Sequence, residues 1–225
     1  MAEPKPLVII GNGEIAEMAY EYFEHDSDRK VAAFAIGTDY IKEATLHDRP
    51  VISLDGLKQA YPPASFDAFV AIGDGQLNRL RRHHVDLCKA AGYRLASYVS
   101  SHAFVWSNVT IGENCFILEH NVLQPFTAVG DNVTLWSGNH IGHRSVIEDD
   151  VFVASHVVVS GFCRIGARSF VGVNASFAAH VDVGVDNFIA MGAVVTKSTE
   201  PDGVYQGMPA QRREISARRF CRVRD

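Results

Sequence analysis

An α/β domain followed by an all-β repeat domain is the fold expected from this sequence. Two observations predict it. Strand-like and helix-like segments alternate over residues 1–98, which is typical of a parallel sheet covered by helices. From Val105 onward, an apolar residue recurs every six positions as far as Val195. The predicted boundaries are therefore 1–98 for the first domain, 99–200 for the repeat domain and 201–225 for a C-terminal tail.

Size and composition are those of an ordinary globular protein. The chain has 225 residues, of which 47% are hydrophobic, and a formal net charge of −5. The acidic balance argues against general nucleic-acid binding, which needs a basic surface. No apolar run approaches the ~20 residues of a membrane span, and the first residues do not resemble a signal peptide. Four scattered cysteines without a CxxC pair favour free thiols, and so a cytoplasmic protein.

The first domain is predicted from hydrophobic runs separated by turn residues. The expected helices cover residues 14–24 and 76–91, with a helical turn at 55–60, and Gly92 ends the second helix. The expected strands cover residues 7–10, 30–36, 50–54, 66–72 and 94–99. Right-handed connections between parallel strands then give a small Rossmann-like layer.

A glycine-containing turn, Gly11-x-Gly13-x-x-Ala16, joins the first strand to the first helix. Glycine lets a ligand approach the backbone, and a helix N-terminus attracts an anion, so we expect a nucleotide or nucleotide-sugar phosphate here. NAD is less favoured because no acidic residue ends the second strand, and a purely structural turn is the alternative. The residues expected to contact the substrate are Gly11, Asn12, Gly13, Glu14 and Ile15.

The six-residue repeat predicts the fold of the second domain. All sixteen positions spaced six apart from Val105 to Val195 are apolar, and the phase never slips. A second series, four residues further on, contains only small or medium side chains. A period of six suits short strands joined by tight turns, with two of every six side chains inward. It resembles the hexapeptide-repeat, left-handed parallel β-helix family, in which three hexads form one triangular coil; the left hand is implied by that resemblance.

Taken together, the two domains resemble bacterial sugar acyltransferases, a group that includes sialic-acid O-acetyltransferases and N-acetyltransferases of nucleotide-linked 4-amino sugars. The resemblance implies a homotrimer that uses acetyl-CoA in active sites between neighbouring β-helices. Its motifs, beside the Gly11 turn, are Ile141-Gly142-His143-x-Ser145-Val146-Ile147, Gly192-Ala193-Val194-Val195-Thr196-Lys197 and Gly207-x-Pro209-Ala210. The residues that it places near CoA are Gly192, Ala193, Lys197, Gly207 and Pro209.

The same resemblance makes His143 the catalytic base. Gly161 follows it by 18 residues, so the two should stack, with Gly161 leaving room for the pantetheine arm and offering an N–H to the oxyanion. A neutral histidine suits removal of a proton from an attacking sugar amine or hydroxyl. The acidic residue that often follows this histidine is Arg144 here. What orients the ring is left open among Glu119, Asn139 and Glu148.

Other polar residues have less certain roles. We expect His156 and Asn174 to line the acyl-CoA groove, and His140 to contact the substrate or to pack. Asn121 and Asn139 should stack inside one corner and close turns through hydrogen bonds. The basic tail beginning at Arg212 is either a phosphate site or a solvated helix.

The expected function is acetyl transfer from acetyl-CoA to the amino group of a nucleotide-linked amino sugar, with sugar O-acetylation as the alternative. Two alternatives belong to other classes. One is a γ-type carbonic anhydrase, for which His120 and His156 have the right spacing, but Gly161 stands where the third zinc ligand would be. The other is a non-enzymatic nucleotide-binding scaffold. We therefore expect no metal and no nucleic-acid partner.

Overall fold

The computed structural model describes residues 4–224, which divide into two compact units. Of these residues, 4–73 and 81–98 form the first unit, and 74–80 and 99–224 form the second. Residues 74–80 thus belong with the repeat, although the predicted boundary would assign them to the first domain. The C-terminal segment after residue 200 is part of the second unit.

A five-stranded sheet forms the centre of the first unit. Its strands are β1 (Leu7–Ile10), β2 (Val31–Ile36), β3 (Thr45–Leu46), β4 (Arg49–Ser53) and β5 (Asp67–Val70). The spatial order is β3-β4-β2-β1-β5, and only β3 runs antiparallel, to β4. The four parallel strands have the order 3-2-1-4, so the parallel sheet that the alternating pattern predicts is present.

Three helices accompany this sheet: α1 (Glu14–His25), α2 (Leu57–Ala60) and α3 (Arg79–Ala90). Short 3₁₀ turns cover Thr38–Tyr40 and Leu54–Gly56. The prediction placed the start of the last helix three residues too early. Gln76, Leu77 and Asn78 have φ values of 58°, 53° and 61°, which a right-handed helix excludes. The strand predicted at 94–99 is reduced to one bridge, between Leu95 and Ala68, and to the short strand β6 (Tyr98–Val99).

The second unit is a parallel β-helix. Two-residue strands recur every six residues, and each pairs in parallel with the strands one coil before and after it; Val122, for example, pairs with Phe104 and His140. The strands are β7 (Phe104–Val105), β8 (Thr110–Ile111), β9 (Phe116–Ile117), β10 (Val122–Leu123), β11 (Ala128–Val129), β12 (Thr134–Leu135), β13 (His140–Ile141), β14 (Val146–Ile147), β15 (Phe152–Val153), β16 (Val158–Val159), β17 (Arg164–Ile165), β18 (Phe170–Val171), β19 (Ser176–Phe177), β20 (Asp182–Val183), β21 (Phe188–Ile189) and β22 (Val194–Val195).

Three sheets make the three faces of this helix. Face one contains β7, β10, β13, β16, β19 and β22; face two contains β8, β11, β14, β17 and β20; face three contains β9, β12, β15, β18 and β21. Corner one joins face one to face two, corner two joins face two to face three, and corner three joins face three to face one. Each coil is therefore 18 residues long, as the period predicts.

The predicted apolar series forms the core. From Ile117 to Val195 every member of the six-residue series is buried, whereas Val105 and Ile111, near the start of the helix, are only half-buried. Asn121 and Asn139 are also buried, and their side-chain amides donate to the carbonyl groups of Leu118 and Trp136, respectively. The prediction that these two asparagines close turns inside one corner is confirmed.

The C-terminal segment packs on face three. Strand β23 (Val204–Gln206) extends that sheet, β24 (Gln211–Arg212) pairs antiparallel with β23, and α4 spans Ala217–Phe220. Outward-facing phenylalanines stack along the face, and the ring of Phe220 lies 4.8 Å from that of Phe188. The basic tail is thus neither a frayed end nor a freely solvated helix. No helix within residues 4–224 has the length and apolar character needed to cross a bilayer.

Candidate active site

His143 lies exposed on corner one, directly after β13. Gly142 before it has no space for a side chain, because a Cβ there would meet the backbone of Ser160 at 2.5 Å. Ser145 after it points inward, and its hydroxyl donates to the carbonyl group of Ser160. The turn is therefore tied to the next coil on both sides of His143, which leaves the imidazole on the outer surface.

Gly161 lies beside the imidazole, as the 18-residue spacing predicts. A Cβ atom on Gly161 would come within 2.6 Å of Cε1 and 2.9 Å of Nε2 of His143. Its amide N–H donates to no acceptor among residues 4–224. The site therefore combines an exposed imidazole, a glycine whose side-chain space is taken by that ring, and an unpaired backbone donor.

Gln124 is the side chain that contacts the ring, and sequence reasoning missed it. Its Oε1 accepts a hydrogen bond from the backbone N–H of His143 at 2.9 Å and lies 3.3 Å from Nδ1. Gln124 precedes His143 by 19 residues, so a search restricted to the 18-residue column stops at Pro125. Extending that search by one residue in each direction would have included it.

None of the three residues left open for this role contacts the ring. Glu148 accepts from the backbone N–H of Ala167 and pairs with Arg164. Glu119 accepts from the hydroxyl of Ser137 at 2.6 Å. The side chain of Asn139 is held inside corner three by Trp136 and Val157. Each of these side chains is committed to another bond, so the expectation that one of them orients His143 is wrong.

A second column of side chains follows corner one, one residue after the column of His143. The guanidinium group of Arg144 lies 4.4 Å from the ring centroid of Phe126. The Phe162 ring packs edge-on against His143, at 5.0 Å and 81°, and stacks on His180 at 4.9 Å. Phe126, Arg144, Phe162 and His180 all have φ between 55° and 65°, which directs this column outward at every coil. The departure at Arg144 therefore places a cation on an aromatic ring next to the candidate base.

Small side chains separate His143 from Lys197 in its own column. Gly161 and Ala179 stand between them, and both Ala179 and Lys197 are exposed. At about 4.8 Å per coil, Lys197 lies ~14 Å further along the axis. A narrow, uncharged strip therefore leads from the imidazole to an ammonium group.

Three further residues that were predicted to contact the cofactor lie on corner three. His156, Asn174 and Gly192 occupy one column there, with φ of 59°, 58° and 66°. Gly138, one coil earlier, makes room for the His156 ring, because a Cβ there would be 2.6 Å from Nδ1. Of the predicted cofactor residues, Gly161 and Lys197 thus lie on corner one and His156, Asn174 and Gly192 on corner three, with His140 half-buried on face one between the two corners.

Ala193 has no exposed atom with which to bind a ligand. Its relative exposure is 0%, its N–H donates to the Ala190 carbonyl group and its own carbonyl accepts from Ser176. Its role is to pack the last coil, so the expected contact between Ala193 and the cofactor has to be withdrawn.

Gly207 and Pro209 lie at the end of face one. The Gly207 carbonyl accepts from the N–H of Val194, and the Ala210 N–H donates to the Val194 carbonyl. The same loop and β24 line an open groove of about 860 Å³, to which Arg212 and Arg213 contribute. Two guanidinium groups near this groove make it suited to an anion.

In the first unit, Gly11 and Gly13 have different constraints. Gly11 has φ +131°, and a Cβ on it would lie 2.6 Å from the carbonyl oxygen of Ala71, so its first role is structural. Gly13 begins α1 and has nothing within 4 Å of a Cβ position. Glu14 and Ile15 form the first turn of α1, and Asn12 lines a recess of about 220 Å³ together with Lys42.

Two cysteines and two histidines are candidates for other chemistry. Burial raises the pKa of the Cys88 thiol to about 12 and that of Cys221 to about 11, so both stay protonated near neutral pH. Among residues 4–224 no three His, Cys, Asp or Glu side chains are grouped as metal ligands. His120 and His156 are on corner three, whereas Gly161 is on corner one.

Known proteins share this architecture. Residues 126–161 match the family model described as bacterial transferase hexapeptide (six repeats). A His-to-Asn mutant of perosamine N-acetyltransferase from Caulobacter crescentus, solved with CoA and GDP-perosamine, is 24% identical, with a TM-score of 0.85 over 92% of this chain and 96% of that one. The likeness shows the fold.

Two further solved structures have a similar fold. The acetyltransferase domain of PglB from Neisseria gonorrhoeae FA1090, solved with acetyl coenzyme A, is 24% identical, with a TM-score of 0.81 over 92% of this chain and 98% of that one. WeeI from Acinetobacter baumannii AYE is 23% identical, with a TM-score of 0.69 over 92% and 99% of the two chains. Each of these structures therefore matches 92% of this chain, which includes parts of both units.

Proposed function

We propose that the protein is an acetyl-CoA-dependent N-acetyltransferase that acts on the amino group of a nucleotide-linked amino sugar. The observation that carries the proposal is the juxtaposition of His143 and Gly161, an exposed base packed on a glycine whose N–H is unpaired. The similar structures that were solved with CoA and GDP-perosamine or with acetyl coenzyme A support the same chemistry.

In this mechanism, His143 accepts the proton that the sugar amine loses as its nitrogen attacks the thioester carbonyl carbon. The new C–N bond gives a tetrahedral intermediate, whose oxyanion is stabilised by the Gly161 N–H. When the C–S bond breaks, the protonated His143 returns its proton to the leaving thiolate. The products are the acetamido sugar and CoA, and the imidazole is neutral again.

We assign the acyl donor to the strip that leads away from His143. The ring of His143 occupies the side-chain space of Gly161, and the small side chain of Ala179 beyond it leaves room for the pantetheine arm. Lys197 lies on the path of the CoA phosphates, and the groove near Gly207, Pro209, Arg212 and Arg213 provides further positive charge for them. The anionic part of CoA thus lies at the C-terminal end of the β-helix.

A homotrimer of left-handed β-helices would bring together the cofactor residues on corner one and those on corner three. Face one and its corners carry exposed apolar side chains, namely Phe104, Trp106, Phe126, Val158, Phe162, Val173 and Met191. If face one of each copy points towards a threefold axis, corner one of one copy lies beside corner three of the next. His143 would then face His156 and Asn174 of the neighbouring copy, with His140 close to the sugar.

The nucleotide is assigned to the turn of Gly11, Asn12 and Gly13 at the start of α1. Gly13 leaves open space, the N–H groups of Glu14 and Ile15 point to the helix N-terminus, and Lys42 lines the same recess as Asn12. Four cysteines without a disulfide among them fit a reducing compartment such as the cytoplasm.

Acetyl transfer can be tested directly. The protein is incubated with acetyl-CoA and GDP-, UDP- or dTDP-linked 4-amino sugars, and release of the CoA thiol is compared with the mass gain of the sugar. We expect one nucleotide series to be acetylated, and His143→Asn to reduce kcat by ~10²-fold or more while CoA still binds. No acetylated product in any series, or equal turnover in His143→Asn, would contradict the proposal.

A further inference from the structure

We propose that Gln124 is a positioning residue that holds His143 in the tautomer with the proton on Nδ1, so that Nε2 is the basic atom. The catalytic consequence rests on the proposed function, but the assignment of the tautomer does not. It follows from three contacts that constrain one another.

The first contact fixes the orientation of the Gln124 side chain. An amide side chain offers an oxygen, which accepts, and an NH₂ group, which donates. A backbone N–H can only donate, and that of His143 lies 2.9 Å from the end of Gln124. The atom that faces it must therefore be Oε1, and the opposite orientation of the amide would place two donors against each other.

The second contact fixes the proton on the ring. The same Oε1 lies 3.3 Å from Nδ1 of His143. An amide oxygen has no proton to give, so a hydrogen bond here requires the proton to be on Nδ1. A neutral imidazole carries only one N–H, which leaves Nε2 with a free lone pair.

The third contact places the ring over Gly161. The position that a Cβ atom of Gly161 would take lies 2.6 Å from Cε1, 2.9 Å from Nε2 and 3.0 Å from Nδ1, so Cε1 points at the glycine and the two nitrogens flank it. Phe162 packs edge-on against the ring and limits its rotation. With Nδ1 bonded to Gln124, Nε2 is the ring nitrogen that has no hydrogen-bond partner among residues 4–224.

Gln124 is itself held in place firmly enough to orient the imidazole of His143. Its backbone N–H donates to the Ile141 carbonyl, and its own carbonyl accepts from the N–H of Thr127. The side chain is half-buried at the start of the turn. Because the amide is neutral, it fixes the tautomer without placing a charge beside the ring.

The tautomer can be measured without substrate. Long-range ¹H–¹⁵N correlation spectra are recorded at several pH values on protein labelled with ¹⁵N in histidine. The signals of His143 are identified because they are absent from the spectra of His143→Asn. We expect neutral His143 to carry its proton on Nδ1 in the wild type. In Gln124→Ala we expect the proton to move largely to Nε2, and in Gln124→Glu it should stay on Nδ1 while the ring titrates at higher pH.

Kinetics provide the second readout. We expect Gln124→Ala to lower kcat about tenfold with little change in KM, and Gln124→Glu to recover activity above the raised pKa, with the acidic limb of its pH profile moved upward. Asn108→Ala is the matched control, because Asn108 makes the same type of bond, to the Phe126 N–H at 2.8 Å, without touching the ring. It should leave the tautomer and the pH profile unchanged.

The results separate the two proposals. A wild-type His143 protonated on Nε2 when neutral, or an unchanged tautomer in Gln124→Ala, would overturn the role of Gln124. If the wild type transferred no acetyl group to any amino sugar, the proposed function would fail, and the spectra would still decide which nitrogen Gln124 controls.

Discussion

The imidazole of His143 occupies the space into which a side chain at Gly161 would project. The distance from Cε1 to the Cβ position of Gly161 is 2.6 Å, shorter than any ordinary van der Waals contact. The two residues are 18 apart in the sequence and one coil apart on corner one. The position of the base therefore depends on a residue that has no side chain.

Replacing Gly161 with alanine tests this relationship. The added methyl group must displace the ring of His143, so we expect kcat to fall at least about tenfold, while Tm changes little because the clash is with a side chain on the surface. Steady-state kinetics and thermal unfolding measure the two effects. Ser160→Ala, at the neighbouring position, should have the kcat and the Tm of the wild type. Wild-type kcat in Gly161→Ala would show that the ring position does not matter.

The turn before α1 offers a matched pair of glycines. Gly11→Ala combines φ +131° with a Cβ only 2.6 Å from a backbone oxygen, and we expect it to lower the free energy of unfolding by ~1–3 kcal/mol. Gly13→Ala meets no atom within 4 Å, and its cost should stay near the ~1 kcal/mol of a weaker N-cap.

Chemical denaturation and binding of the nucleotide, measured in parallel, separate the two roles. Gly13→Ala should weaken nucleotide binding in a folded protein, because the methyl group fills the space left for the phosphate. Unchanged affinity in Gly13→Ala would place the nucleotide elsewhere, and an unaltered stability in Gly11→Ala would contradict the close contact with Ala71.

Face one carries the proposed contact between copies. Val158 is 46% exposed at its centre, and a charge there would be buried in a trimer. We expect Val158→Glu to convert the trimer to monomers and to abolish acetyl transfer, whereas Thr110→Glu on face two should leave both unchanged. Sedimentation velocity gives the oligomeric state. A Val158→Glu protein that remains trimeric would exclude face one from the interface.

Asp186 predicts how stability depends on pH. Burial works against its charge, but hydrogen bonds from Arg168 and Arg79 outweigh this and hold the pKa of the carboxyl below its ordinary value of 3.8. A lowered pKa in the folded state stabilises the protein above the unfolded pKa, and this contribution is lost as pH falls through the folded value. We expect stability to decline from about pH 5 downward.

Urea midpoints between pH 7 and pH 3 measure this decline. Asp186→Asn should be less stable at pH 7 and should show a smaller loss on acidification. Asp182→Asn, at an exposed position of face two, is the control and should follow the wild type. If the urea midpoints of Asp186→Asn and the wild type fell in parallel with pH, other carboxylates would cause the loss of stability in acid.

The β-helix could be predicted because its determinant is local and repeated. Ile141 and its equivalents recur with a fixed period, and each repeat adds evidence for the same inward position. The start of α3 could not be predicted in this way. The window from Gln76 has a helical composition, but three successive left-handed residues precede the helix. Asn78 and Arg79 make side-chain bonds to Asp150 and Asp186, far along the chain, and no local pattern reports these.

The same distinction between regular and irregular contacts applies to the candidate site. His143 is identified from the resemblance to sugar acyltransferases, and its contact with Gly161 follows from the coil length, because the two residues are neighbours in successive coils. Gln124 does not, since its side chain reaches diagonally, from one position earlier in the preceding coil, and a rule based on columns overlooks diagonal contacts. Ala193 was assigned from a motif, but motifs do not distinguish residues that touch a ligand from residues that shape the backbone beneath it.

The three faces of the β-helix share one backbone and differ only in their outward side chains. At each coil, a single strand residue per face points outward, for example His140, Val146 and Phe152 in the coil that holds His143. A few substitutions along one face can therefore change what that face meets, with the interior and the other two faces unaltered. For an evolving lineage, choice of subunit partner and integrity of the scaffold are nearly independent traits.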